Sequence, residues 1–220
     1  MDPTAEGIRA LGYRIADIVL KSEKLTFCRA VRARYLQRNP PEPLYYLGSA
    51  ASGGRYTPLG GPAGLYLASD QPTACSEIQD LFTDPSGMPL PLKANDPVTM
   101  VYVEVCLQAV LDLTDFRVLR TLRVTRSTIS GEWRPQMELY LQGSAPMPLT
   151  QQIGYAAHAT ARVGGILYPS ARWKRGRCLV VFPDRLTSAG GDSVEAVDST
   201  GRYAQRIPQP GVAGTKQDFA

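Results

Sequence analysis

Residues 53–82, GGRYTPLGGPAGLYLASDQPTACSEIQDLF, set three chemically distinct side chains on three successive elements. A glycine-rich turn carries Arg55. The apolar, extended run GLYLAS carries Tyr66. Gln71-Pro72 then opens a helix, because proline suits a first helical turn, and Glu77 lies just inside that helix. Eleven residues separate Arg55 from Tyr66, and eleven more separate Tyr66 from Glu77. A turn, a strand and a helix start in this order can gather a cation, an aromatic face and a carboxylate around one cleft. Those parts suit an anionic dinucleotide whose base stacks and whose sugar develops positive charge. Read alone, the same residues also describe a surface charge, a strand residue and a solvated helix residue, which is the commoner case.

The chain of 220 residues is long enough for one sizeable domain with tails. Hydrophobic residues at 44% and charged residues at 20% suit a chain with a real core. Twenty glycines and 18 prolines point to many turns rather than a helical bundle. A net charge of +4 suits an anionic small ligand or an acidic partner and falls short of a nucleic-acid-binding footprint. Cys28, Cys75, Cys106 and Cys178 form no CxxC pair, which disfavours zinc and predicts free buried thiols in a reducing compartment. No run approaches the ~20 apolar residues of a membrane span, and the N-terminus shows no signal pattern. The expected location is the cytoplasm, with a signal-free export route left open.

Working outward, Ile8, Leu11, Ile15, Ile18 and Val19 fall at helical spacing within 5–21. LTFCRAV (25–31) predicts a strand carrying Arg29, NPPEP (39–43) a loop, and Leu44 to Leu47 a short extended piece. The proline-rich residues 84–97 predict another loop. VTMVYVEVCLQAVLDL (98–113) is the strongest strand signal, with Glu104 on the face opposite Val103 and Val105. A capped helix is expected at 114–122, and Trp133 in a polar loop. Arg117, Arg120, Arg123 and Arg126 recur at threefold spacing, which fits a solvated helix face. A helix over 149–163 ends at Gly164-Gly165, followed by ILYPSARW (166–173) and the buried strand CLVVF (178–182). After Arg185 large apolar residues become sparse. The expected organisation is an N-terminal helical segment at 1–24, a main domain at 25–186, and a peripheral or partly disordered tail at 187–220.

Several chemistries are absent. His158 is the only histidine, so a His-rich metal centre is impossible and no metal site is expected. LGGPAG does not spell GxGxxG, and no GxxxxGK occurs. A bound nucleotide would be held through side chains.

Taken together, FCRA, GGRY, GLYLAS, the helix with Ala74 and Glu77, the strand ending in DLTD, the Trp-containing loop, YPSAR and LVVF resemble the RES domain family in order and spacing from about Phe27 to Phe182. The family comprises bacterial toxins commonly encoded beside a helix-turn-helix antitoxin. The resemblance implies an α+β fold similar to ADP-ribosyltransferases, with a split mixed β core and flanking helices. It also implies cleavage of the nicotinamide–ribose bond of NAD+ by hydrolysis or phosphorolysis. NAD+ is then the substrate, and no separate cofactor is implied. Arg55, Tyr66, Glu77 and Ser170 match the family's motif residues, and Arg29 fits its early arginine. Where members often show Arg-Trp-Asn, this chain has Arg55-Tyr56-Thr57.

On that resemblance the expected roles are chemically distinct. Arg29 and Arg55 suit the phosphates through paired hydrogen bonds. Tyr66 suits stacking on the cationic nicotinamide ring. Glu77 supplies negative charge to an oxocarbenium-like ribose. Ser170 is a candidate for the nicotinamide amide or ribose, and equally for capping a turn. The catalytic set is therefore Glu77, Arg55 and Tyr66, and the NAD+-binding set Arg29, Arg55, Tyr66 and Ser170. A mono-ADP-ribosyltransferase and a catalytically silent binding module of the same fold are the alternatives. Cys75 stands where many transferases carry an acidic residue two positions before the catalytic glutamate, which favours water or phosphate as acceptor. The expected partner is a neutralising antitoxin or immunity protein covering the active site, with no nucleic acid or membrane involved.

Overall fold

The computed structural model describes residues 3–78, 97–198 and 200–209. The loop expected over 84–97, apart from its last residue, and the end of the chain from 210 lie outside them. Helix α1 (Pro3–Ala16) buries Leu11 and Ile15 against a later helix, α8 (Leu149–Ala159). Ile18 is buried beyond the helix end, whereas Val19 is 87% exposed because helical spacing stops at Ala16.

Strand β1 (Lys21–Arg32) leads into the short helices α2 (Ala33–Leu36) and α3 (Gly48–Ser52). Leu44 to Leu47, expected to be extended, instead form turns, and Leu44 is buried in the core. Strand β2 (Leu65–Ala68) and helix α4 (Gln71–Glu77) follow, then β3 (Val98–Asp112). Helices α5 (Phe116–Leu122), α6 (Arg126–Ser130) and α7 (Arg134–Leu141) precede α8. Asp115 accepts from the Arg117 N–H at the start of α5. Arg117, Arg120, Arg123 and Arg126 are exposed, as a solvated face requires.

The chain then forms β4 (Gly165–Pro169), β5 (Arg177–Val181), β6 (Ser193–Val197) and β7 (Gln205–Ile207). The sheet runs β1-β2-β5-β4-β3-β6-β7, and a β1–β3 ladder closes its first five strands into a barrel. The sheet is mixed, since β3 and β4 run parallel while the other pairs are antiparallel. Long β3 gives one edge to β1 and divides the other between β4 and β6. Along β1 and β2 the ladder holds only at Cys28–Ala68, so these strands diverge on either side of one seam.

Strand alternation separates two cores. Leu65, Leu67, Leu179, Val181, Val103 and Val105 pack inside the barrel. Ile166, Val180 and Leu111 pack outward against Leu11, Ile15, Leu122 and Ile153 of the helices.

The C-terminal stretch corrects an expectation. Residues 193–207, read from composition as a peripheral tail, add β6 beside β3 and β7 as the edge strand beyond it. Period-two alternation explains this: Val194 and Ala196 are buried while Glu195 between them is not, and two small apolar residues suffice to cover an edge of β3.

Candidate active site

A cleft of about 450 Å3 opens over the seam between β1 and β2. Cys28, Ala68, Cys178 and Tyr168 line it and sit in register across β1, β2, β5 and β4. Helix α4 brings Glu77 to this floor. Its start is set by Asp70, whose Oδ1 accepts from the Thr73 N–H at 2.8 Å and the Thr73 hydroxyl at 2.7 Å. These bonds hold the Asp70 carboxyl below its usual range, the Thr73 hydroxyl contributing most.

Ser170 stands behind Glu77. Its hydroxyl donates to Glu77 Oε1 at 2.5 Å and accepts from the N–H groups of Trp173 (2.9 Å) and Arg172 (3.2 Å). The side chain is buried and is not on the cleft wall. Its single hydrogen is given to the carboxylate, so Ser170 caps the turn and braces Glu77.

The turn carrying Arg55 is locked from both sides. Gly54 and Thr57 exchange backbone hydrogen bonds (2.7 and 3.3 Å). The Tyr66 hydroxyl accepts from the Tyr56 N–H at 3.0 Å and shares a hydrogen with the Thr57 hydroxyl at 2.9 Å. A Cβ on Gly54 would lie 2.5 Å from that phenolic oxygen, so the approach requires glycine. Burial pushes the Tyr66 phenol up to about 12, keeping it protonated. Tyr56 and Thr57, the departures from Arg-Trp-Asn, are both fully buried: Tyr56 packs on Tyr168, and Thr57 steadies Tyr66.

Both expected phosphate arginines line the cleft, and each also fastens a loop. Arg55 Nη1 donates to the carbonyls of Ile129 (2.9 Å) and Gly131 (2.8 Å), fixing the connection that leads to Trp133. Arg29 donates through Nη1 to the Pro43 carbonyl (2.9 Å) and through Nη2 to the Tyr45 carbonyl (2.5 Å). Burial lowers its pKa to about 10, which leaves it charged at neutral pH. With five N–H groups per guanidinium, donors remain on both for a ligand.

Arg134, Arg172, Trp133 and the tyrosines 35, 45 and 46 also line the cleft. Sequence reasoning did not assign these to the site, although Tyr45-Tyr46 directly after a proline-rich loop is a legible aromatic signal. Glu77 is the one carboxylate among the described lining residues, against four arginines.

Outside the cleft, His158 Nε2 meets Asp184 Oδ2 at 2.7 Å and its Nδ1 faces Arg185 Nη2 at 3.3 Å, a structural ion cluster against Phe182. The four cysteines are free, but only Cys28 and Cys178 are buried. Cys75, expected to be buried, is exposed on α4. Among the described residues no group of three or more His, Cys, Asp or Glu side chains can hold a metal ion, and no helix is long and apolar enough to cross a membrane.

Residues 26–204 match the model of the RES domain. The chain belongs to the RES domain family. That match reaches through β6, so the family's domain includes a strand beyond Arg185. Among curated proteins none matches this RES domain chain. Its fold is similar to that in the crystal structure of the M.tuberculosis MbcT–MbcA toxin–antitoxin complex, with a TM-score of 0.64. The match covers 90% of this chain and 91% of that one at 19% identity, a likeness of fold.

Proposed function

We propose that this RES domain is a toxin that consumes NAD+ by breaking its nicotinamide–ribose bond, with water or inorganic phosphate as acceptor. The observation that carries the reading is the meeting of Arg55, Tyr66 and a Ser170-braced Glu77 in one arginine-rich cleft. The likeness to ADP-ribosyltransferases expected from the sequence belongs to the same reading. A structural neighbour described as part of a toxin–antitoxin complex supports the biological role.

The chemistry asks little of proton donors. When the bond breaks, its electron pair leaves with the ring nitrogen, and nicotinamide departs neutral. Positive charge develops on the ribose, where Glu77 offsets it in a partly water-excluded cleft. Because Oε1 already accepts from Ser170, Oε2 is the oxygen offered to the ribose hydroxyls. An oxygen of water or phosphate then bonds to the ribose carbon, and the acceptor's proton passes to solvent. Arg55 and Arg29, both on the cleft wall, offer charge to the two phosphates. Cys75 in the place of a second acid leaves no carboxylate there to orient a protein acceptor.

Such an enzyme would drain a central cofactor of its own cell, so the reading includes a neutralising antitoxin that covers the cleft. An acidic group beside the cleft arginines would compete with the NAD+ phosphates by mass action.

The test follows free nicotinamide from purified protein and NAD+, with and without phosphate. Wild type should release nicotinamide. Glu77→Gln should bind ADP-ribose as before and turn over roughly 100-fold slower or worse. Near-normal release by folded Glu77→Gln would overturn the mechanism, and a silent wild type would leave the binding-module alternative standing.

A further inference from the structure

The proposed reaction uses Glu77, Tyr66 and Arg55, and leaves an aromatic wall of the same cleft without a task. Tyr35 and Tyr45 stack with ring centroids 4.6 Å apart and planes 17° from parallel. The Arg38 guanidinium lies 4.9 Å from the Tyr35 ring centre and 4.7 Å from that of Tyr45, and Arg34 lies 5.1 Å from Tyr35. Arg38 is itself held by Glu42. These rings are only half-buried and line the cleft together with Tyr46.

Topology sets where this wall stands. Strand β1 runs antiparallel to β2, with Cys28 opposite Ala68. Helix α4 and Glu77 leave the C-terminal end of β2, whereas the residues that follow β1 emerge beside its N-terminal end. A hydrogen bond from the Gly64 N–H to the Ser49 hydroxyl at 2.7 Å ties the tyrosine-bearing segment to that end. The tyrosine wall therefore stands at the end of the cleft opposite Glu77. Arg29 reaches across from β1 and pins the wall's backbone at Pro43 and Tyr45.

Resting on the reading of NAD+ as substrate, we infer that Tyr35, Tyr45 and Tyr46 form the platform for the adenine base, and that Arg29 is the positioning residue that holds it. A flat, pinned aromatic face beside cations matches a purine joined to phosphates. Such stacking tolerates modest misplacement, because every purine presents a π-face, and removing one platform ring typically costs roughly 5- to 150-fold in affinity. The geometry thus makes the AMP half of NAD+ the handle by which the substrate is chosen.

The experiment compares kcat/KM for NAD+ with that for nicotinamide mononucleotide, which keeps the scissile bond and lacks AMP, and measures AMP binding by calorimetry. Tyr45→Ala should lower the NAD+ to mononucleotide preference by roughly 5- to 150-fold, chiefly through KM, and weaken AMP binding alike. Tyr45→Phe should retain both. Arg29→Lys, a second variant should Tyr45→Ala fail to fold, loses the forked contact to two carbonyls and should reduce the same preference. An unchanged preference, or AMP binding that is absent from wild type or untouched by Tyr45→Ala, overturns the platform. A wild type that cleaves neither substrate refutes the reaction, and AMP binding still decides the platform.

Discussion

Replacing Ser170 by Ala removes one hydroxyl that makes three hydrogen bonds, and the consequences separate cleanly. The bond to Glu77 Oε1, at 2.5 Å, is charge-assisted and lies in a buried position. Bonds to charged groups are worth about 1.5–3 kcal/mol net. If the carboxylate is held by that bond in the pose that meets the ribose cation, its loss lowers kcat by roughly 10- to 150-fold. The two bonds accepted from Arg172 and Trp173 act on stability instead. Both residues are exposed, so water replaces part of what is lost, and about 1–3 kcal/mol for the pair is an upper range. That corresponds to a few degrees in Tm. Nicotinamide-release kinetics at saturating NAD+, run beside a thermal melt, read the two effects independently. A folded Ser170→Ala protein with unchanged kcat refutes the bracing role. A raised KM at unchanged kcat would place the hydroxyl on the substrate rather than behind the glutamate.

Two more perturbations test the scaffold around the cleft. Arg55→Ala should weaken ADP-ribose binding and also loosen the 129–131 connection, while Arg55→Lys should restore charge but only part of the affinity, because a point charge cannot make the paired contact to a phosphate; calorimetry with ADP-ribose that shows full affinity for Arg55→Ala would transfer the phosphates to other cations. Lys21→Met should make the protein more sensitive to acid: burial raises the Asp112 pKa, but hydrogen bonds from Lys21 and Thr114 and the Lys21 charge outweigh it and hold the carboxyl below the usual 3.8. A depressed carboxyl contributes stability above its unfolded pKa that is lost as pH falls through the folded value, so without Lys21 the acid-unfolding midpoint seen by circular dichroism should move to higher pH, and an unmoved midpoint would discount the pair.

Much of the strand framework was legible because strands betray themselves by alternation. Val103 and Val105 against Glu104, and the unbroken CLVVF, left little choice about β3 and β5. Glu77, Tyr66 and Arg55 could be picked out as a series, and the structure does bring all three to one cleft. Closure of the sheet was not legible, because the β1–β3 ladder joins residues some 80 positions apart with nothing local to announce it. Strands β6 and β7 were missed because β6 buries only Val194 and Ala196 and β7 buries no residue, too weak a signal among polar neighbours. The bracing bonds of Ser170, Arg29 and Arg55 join groups 93, 14 and 74 positions apart, which no residue pattern records.

These braces share a logic that explains the residue types at the site. Each side chain expected to act on a ligand is also fastened to backbone or to another side chain: Arg55 to two carbonyls, Arg29 to two more, Glu77 to Ser170, and Tyr66 to the very turn that carries Arg55. The Tyr66 hydroxyl already accepts one hydrogen bond and shares a hydrogen with Thr57, which leaves its ring face as the part free for the proposed stacking. Helix α8 seals the arrangement from behind. Gln151 Nε2 donates to the Gly54 carbonyl at 3.0 Å, and a Cβ at Gly154 would fall 1.8 Å from the Tyr56 carbonyl oxygen, so only glycine lets helix and turn meet. Electrostatic catalysis depends on charges that are already in place when the transition state forms, because reorienting them then costs the stabilisation they supply. A cleft whose arginines and glutamate are tied down before any ligand arrives meets that requirement through its fold.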